Sequence, residues 1–320
     1  MSWWCSASPR NWTWTPRPYV GAWAILLVVV AVALWWVLRG RHQDIEGALP
    51  AEPIDDDPDA PVAYPGVTDD RIAKELARGT GPVPSSSTTR TLAFAFGIVG
   101  LWACLDWPLA TLGAGYLASA QMIRQITMVL IVAPLLLFAC PPGLAIRLFG
   151  WRRRLQVVRL IARPAFAIPF AALTLVAVNA PAILDPLVAT PYGAFGMDLF
   201  WIMAGFVLWM PVQCPHPAVH RLTGVNAIAY LIIQSIVPIL PGFWMTWADE
   251  PIFRTYELAP RAFRGFDAVT DQQTAAAILQ VGGMVVLWIQ IAYRFLHWGY
   301  QQVEQDRAAN TITKAPAGTT

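Results

Sequence analysis

The segment Ser119-Ala-Gln-Met-Ile-Arg-Gln-Ile-Thr127 sets an arginine and two glutamines inside an otherwise apolar stretch. On a helix Gln121 and Gln125 are four residues apart and Gln121 and Arg124 three, so all three are neighbours. An ionisable group within a membrane helix is costly and marks a functional hypothesis. Arg124 also needs an acid within reach, because a buried unpaired charge is strongly destabilising. Asp198 is the first choice of partner, with Asp185 or Asp271 as second. Asn179 and Asp198 lie near the ends of their apolar segments, and Asp271-Gln272-Gln273 lies just before another. If successive helices alternate in direction, these groups share a depth with Gln121 and Arg124. The expected site is a polar cluster near the outer face, made of Gln121, Arg124, Gln125, Asn179, Asp198, Asp271 and Gln272. Such a cluster could lock helices together, or line a path for an anion or a proton.

A second constellation is Cys214-Pro-His216-Pro-Ala-Val-His220. Thiolate and imidazole suit copper or zinc. A helix would put both histidines on one face, but the prolines at 215 and 217 oppose one, so Cys214, His216 and His220 are weak metal candidates. A juxtamembrane loop with interfacial histidines is the plainer alternative. The other cysteines, Cys5, Cys104 and Cys140, have no paired spacing and read as small buried hydrophobes. Met122, Met128, Met197 and Met203 could offer thioethers to copper(I), although methionine in an apolar helix usually packs. Phosphate loops, nucleophile elbows and zinc-protease helices are missing, so no enzyme is expected.

The elements that must position these residues are membrane helices. Apolar residues make up 56% of the 320 and charged residues 13%, where a soluble domain has about 25% charged. A net charge of +2 gives no pull toward nucleic acid. A span needs about 20 apolar residues. Seven segments qualify or nearly so: Tyr19–Leu38, Thr91–Leu112, Tyr116–Cys140, Pro164–Leu184, Met197–Val212, Val225–Trp247 and Ala275–Trp298. The second is interrupted by Asp106 and Pro108, so its membrane part ends near Leu105. All should be helical, since lipid leaves the backbone no other open-chain partner.

Arginine placement orients the bundle. Arg39 and Arg41, the group from Arg147 to Arg163, Arg221, Arg307 and Lys314 fall on one side. The loops around Asp106–Gly115 and Asp185–Gly196 carry no Lys or Arg. This predicts an extracytoplasmic N-terminal segment (1–18) ahead of the first helix (19–40). The stretch 41–90, with Asp55-Asp56-Asp57 and Pro and Ser clusters, reads as a disordered cytoplasmic insert with room for a short helix near Asp69–Arg78. Six helices follow over 91–300, then a cytoplasmic tail (301–320). Leu144–Arg163 alternates arginines with apolar residues and reads as an amphipathic helix on the anionic inner leaflet, or as a charged connector.

Several stretches in order resemble the CtaG-type assembly factors associated with caa-type cytochrome c oxidases. They are Leu105-Asp-Trp-Pro-Leu through Tyr116-Leu-Ala-Ser-Ala-Gln-Met, Val132-Ala-Pro-Leu-Leu-Leu with Cys140-Pro-Pro, Asn179-Ala-Pro-Ala-Ile-Leu-Asp185, Gly205-Phe-Val-Leu-Trp-Met-Pro-Val212, and Asp271-Gln-Gln273 followed by Gly282-Gly283. The resemblance implies a seven-span bacterial plasma-membrane protein that helps copper reach the oxidase, with oxidase subunits or other assembly factors as partners. The family's third-helix motif, His-Met-x-Gln-His, is matched here by Gln121-Met-Ile-Arg124-Gln125, and its His-x-Pro by Asn179-Ala-Pro181. The histidines that open the family's fifth helix are replaced too, with Asp198 near one of them. The scaffold is therefore expected without its histidines, as a divergent assembly factor or scaffold in which copper is implied only by resemblance. A small-solute or proton-coupled transporter is the alternative, against which stands the lack of an inverted repeat.

Overall fold

The computed structural model describes residues 11–15, 20–40, 87–149, 152–216 and 218–313. Most of the acidic insert, with its possible helix at Asp69–Arg78, lies outside them, as do Cys5 and the last seven residues. Every described element is a helix. In chain order they are α1 (Val20–Gly40), α2 (Ser87–Leu105), α3 (Leu109–Gly115), α4 (Ala118–Ala139), α5 (Pro142–Phe149), α6 (Arg152–Ile161), α7 (Pro164–Val178), α8 (Pro181–Val188), α9 (Pro191–Gln213), α10 (Gly224–Trp247), α11 (Arg254–Glu257) and α12 (268–313). Wider π-turns interrupt α4 at Thr127–Val132 and α12 at Ile278–Gly282, and α10 is interrupted at Val237-Pro238.

The chain is an all-α polytopic membrane protein. Five helices are long and apolar enough to cross a bilayer: Thr88–Leu105, Ala118–Ala139, Tyr192–Gln213, Gly224–Trp247 and Ala268–Val303. A sixth arises if α6 and α7, bent by 69°, form one broken span, and α1 adds a shorter apolar helix, Val20–Val32. The difference from seven full spans has a local cause. The expected fourth span, Pro164–Leu184, stops at Asn179, and the helix restarts with Pro181 in its first turn, where a missing N–H costs nothing. That leaves α7 at 15 residues, about 22 Å long and too short alone. The Leu144–Arg163 stretch is likewise two helices, α5 and α6, rather than one. It is amphipathic as expected: α6 buries Leu155 and Val158 while Arg153, Arg154 and Arg159 face outward. The second span ends at Leu105, and α3 beyond it folds back into the protein with Ala110 to Gly115 buried.

Glycines let the helices that carry the polar cluster approach closely. A Cβ at Gly205 on α9 would stand 2.6 Å from Ala133 Cβ and 3.0 Å from Val129 Cα on α4. This is the small-residue contact that drives helix association in lipid. One turn further along α9, the Trp209 indole N–H donates to the Val129 carbonyl at 2.9 Å, within the π-turn of α4. Gly97 and Gly100 bring α2 against Leu136 and Val132 of α4 in the same way. The start of α4, the ends of α2 and α10 and the first turns of α9 and α12 therefore gather at one end of the bundle, hereafter the Arg124 end.

Candidate functional site

Arg124 is completely buried on α4, and its donors are met from three helices. Its Nη2 reaches both carboxylate oxygens of Asp198 on α9, at 2.6 and 2.7 Å. Its Nη1 donates to Gln121 Oε1, one turn back, at 2.8 Å. Its Nε donates at 2.8 Å to the carbonyl of Cys104, next to the last residue of α2. Carbonyls in the last turn of a helix have no partner of their own, so the break at Asp106 and Pro108 supplies this acceptor. The guanidinium also lies 5.8 Å from the ring centre of Trp201, three residues past Asp198, within cation–π range. Asp198 is thus the partner, with a side chain only 2% exposed.

The other two acids considered as partners hold backbone instead. Asp271 on α12 accepts from the amides of Ala118 and Ser119, at 2.6 and 3.1 Å, and from the Ser119 hydroxyl. It caps the start of α4, where free N–H groups and the helix dipole favour a carboxylate. Asp185 accepts from the amides of Arg254 and Thr255, both at 3.1 Å, and starts α11. From α11 the Tyr256 hydroxyl donates to the Gly113 carbonyl at 2.7 Å. Burial and the nearby Asp271 charge raise its pKa well above the ordinary phenol value. Gly113 sits against the cluster, and a Cβ there would stand 2.8 Å from Gln121 Oε1 and 2.9 Å from Arg124 Cδ. Together α3 and α11 cover the ion pair.

Of the residues picked out in the sequence, Gln121, Arg124 and Asp198 share one hydrogen-bonded group. Asp271 joins the same helix start by a separate contact. Gln272 points elsewhere, accepting from Ile252 N at 2.7 Å and donating to Met245 O at 3.1 Å, and so ties α12 to the end of α10. Asn179 donates to Leu175 O in its own helix, and its buried Oδ1 has no partner. Gln125 Oε1 and Trp201 Nε1 are buried and unpartnered too. Both side chains line a cavity of about 50 Å³ deeper in the bundle, beside the π-turns and Pro238. Sequence reasoning missed the Cys104 carbonyl, Trp201 and Tyr256. Only the first left a signal, the helix-breaking Asp106 and Pro108.

Among the described residues no group of three or more His, Cys, Asp or Glu side chains is placed to hold a metal ion. Cys214 and His216 are buried just beyond the C-terminal end of α9, but His220 is exposed and does not join them. His216 Nδ1 accepts from Ala218 N at 3.2 Å, which requires an unprotonated Nδ1. Burial, reinforced by the Arg159 charge, lowers its pKa from 6.5 to about 4. An unfolded chain therefore binds a proton there that the native chain refuses. Stability from this residue is full above about pH 6.5 and is lost as pH falls toward 4. His216→Asn, which keeps an acceptor but cannot titrate, should flatten the fall in melting temperature of detergent-solubilised protein over that window. Identical pH profiles for the two proteins would refute the assignment.

A family model described as cytochrome c oxidase caa3 assembly factor matches residues 72–301, which include the whole Arg124 group and its cover. No curated protein and no solved structure matches the chain.

Proposed function

Since the chain belongs to the cytochrome c oxidase caa3 assembly factor family, we propose that it serves oxidase biogenesis as a scaffold in a bacterial plasma membrane. Its Arg124 end is held by an internal ion pair rather than by a metal. Oxidase subunits or fellow assembly factors are the partners this reading requires, and the N-terminus-out orientation puts the Arg124 end on the extracytoplasmic side. The observation that carries the metal-free part is Arg124 itself, a buried fixed cation reaching both oxygens of Asp198. A guanidinium at the centre repels a metal cation. Gln121 turns its oxygen to Arg124 and its amide toward Met197 Sδ, 3.9 Å away. Amide oxygens are in any case poor ligands for copper(I). The donor set does not suit copper, so no step is assigned to it.

A transporter would need an accessible charge along its path, whereas Arg124 is wholly buried with its nitrogens engaged. Deleting the gene in its host should lower the amount of assembled oxidase, and added copper should not restore it. Protein purified from that host should carry well under one copper per chain by elemental analysis. Stoichiometric copper that disappears on changing Gln121 and Gln125 to alanine would refute the metal-free reading. Unchanged oxidase levels after deletion would refute the scaffold.

A further inference from the structure

The end of the bundle opposite Arg124 holds a second group of arginines, with no acid paired to them among the described residues. Arg90 lies in the first turn of α2, Arg221 in the loop just before α10, and Arg294 far along α12. The α12 chain fixes the distance between the two ends, since Asp271 and Arg294 are 23 residues apart on it, roughly 35 Å. Arg221 and Arg294 are brought together by packing. Gly224, at φ +53°, lies against Trp298 of α12, where a Cβ would meet the indole at 3.2 Å. This seats the loop carrying Arg221 beside the last third of α12. The positive charge of Arg90 acts on Arg221, and that of Arg221 acts on Arg294.

None of the three has a carboxylate partner among the described residues. The Nε atoms of Arg90 and Arg294 are buried without any hydrogen-bond acceptor. The Cys140 and Cys214 thiols nearby remain neutral: burial pushes the Cys214 pKa above 9.0. Burial and the Arg90 charge in turn lower the pKa of Arg221.

Two half-buried guanidinium groups on α2 and α12 with unpartnered Nε donors, and a third on the loop before α10, lack an anion among the described residues. Their planar forks match phosphate oxygens. Their depth narrows the class further, because Arg90 and Arg221 sit at the membrane ends of the spans Thr88–Leu105 and Gly224–Trp247. Large apolar side chains flank them outward: Leu92, Val225, Phe295 and Leu296 are all more than half exposed. A ligand with a phosphate beside acyl chains satisfies both surfaces. We propose that Arg90, Arg221 and Arg294 form a binding site for the phosphodiester of an anionic phospholipid. Basic pockets between helices at the headgroup level are suited to such lipids. Bound phosphate would also remove the mutual repulsion of the three charges and tie α2, α10 and α12 together.

Native mass spectrometry of the full chain in detergent tests this, with phosphatidylglycerol, phosphatidylcholine or inorganic phosphate added in turn. Phosphatidylglycerol should be retained in preference to phosphatidylcholine and should raise the melting temperature. The triple variant R90Q/R221Q/R294Q should weaken retention by at least roughly tenfold and abolish the thermal shift, while Arg163→Gln, an exposed position, should change neither. Should the triple variant lose its helical circular dichroism, Arg221→Gln alone, outside the spans, carries the test with a smaller loss. Equal retention by wild type and an altered, folded variant would overturn the site. Displacement by millimolar inorganic phosphate with no lipid preference would overturn the lipid and leave a soluble anion as the ligand.

Discussion

Arg124→Met should destabilise the solubilised protein by about 3–5 kcal/mol, the range for removing one partner of a buried ion pair. Asp198→Leu should do so by a similar amount. In the first variant a carboxyl group at 2% exposure is left with no cation in reach. In the second, the guanidinium retains only the Cys104 carbonyl and Gln121 as acceptors. The double variant R124M/D198L should recover most of the loss, because both charges leave together and the replacements fill similar space. A thermal or denaturant melt of the four proteins in one detergent gives the coupling. Additive losses in the double variant would show that the pair does not interact as the structure places it. The same set separates lock from function. If oxidase assembly recovers with stability in R124M/D198L, the pair acts by holding α2, α4 and α9 in place. If assembly stays low in a protein of normal stability, the charges themselves meet a partner.

How much of this pair is legible in the amino-acid sequence follows from where each signal lies. An arginine in an apolar helix demands an acid, and alternating helices restrict which acids share its depth, so three aspartates remain. Charge alone does not choose among them, since all three carry the same one. The choice is made by backbone: Asp271 and Asp185 each face helix starts with free amides, and only Asp198 faces the guanidinium. The helices themselves are visible from apolar run length, and their ends less so. Pro181 ends one helix and begins another, and only the turn between them shows that Asn179 satisfies its amide nitrogen within its own helix instead of joining the cluster. Gln125 shares a helical face with Gln121 by spacing. The π-turn that starts at Thr127 lies just beyond, and Gln125 lines the deeper cavity. Contacts made by main-chain carbonyls, such as those of Cys104 and Gly113, carry no residue type to read.

Removing the carboxylate at Asp271 should have the second-largest effect, and its signature should differ from that of Arg124. Asp271→Ala deletes the acceptor for two buried amides and one buried hydroxyl at the start of α4. Nothing on the extended Leu117 that precedes α4 replaces it, since the helix has no side-chain cap of its own. Hydrogen bonds to a charged acceptor contribute about 1.5–3 kcal/mol each, but those sharing one carboxylate are not additive, so a loss of roughly 2–4 kcal/mol is expected. Asp271→Asn keeps one oxygen for the amides and loses the charge that complements the helix dipole, so it should fall between wild type and alanine. The location of the damage distinguishes this cap from the ion pair. Hydrogen exchange should rise first at Ala118 and Ser119 in Asp271→Ala, whereas Arg124→Met should loosen the contact between α4 and α9. Gln121 lies within the first turn that Asp271 holds, so fraying there also releases the amide that orients Arg124. A capped α4 is therefore a precondition for the ion pair. Combining Asp271→Ala with Arg124→Met should cost less than the sum of the two changes made separately. Strict additivity would mean that the helix start and the charged pair are independent supports.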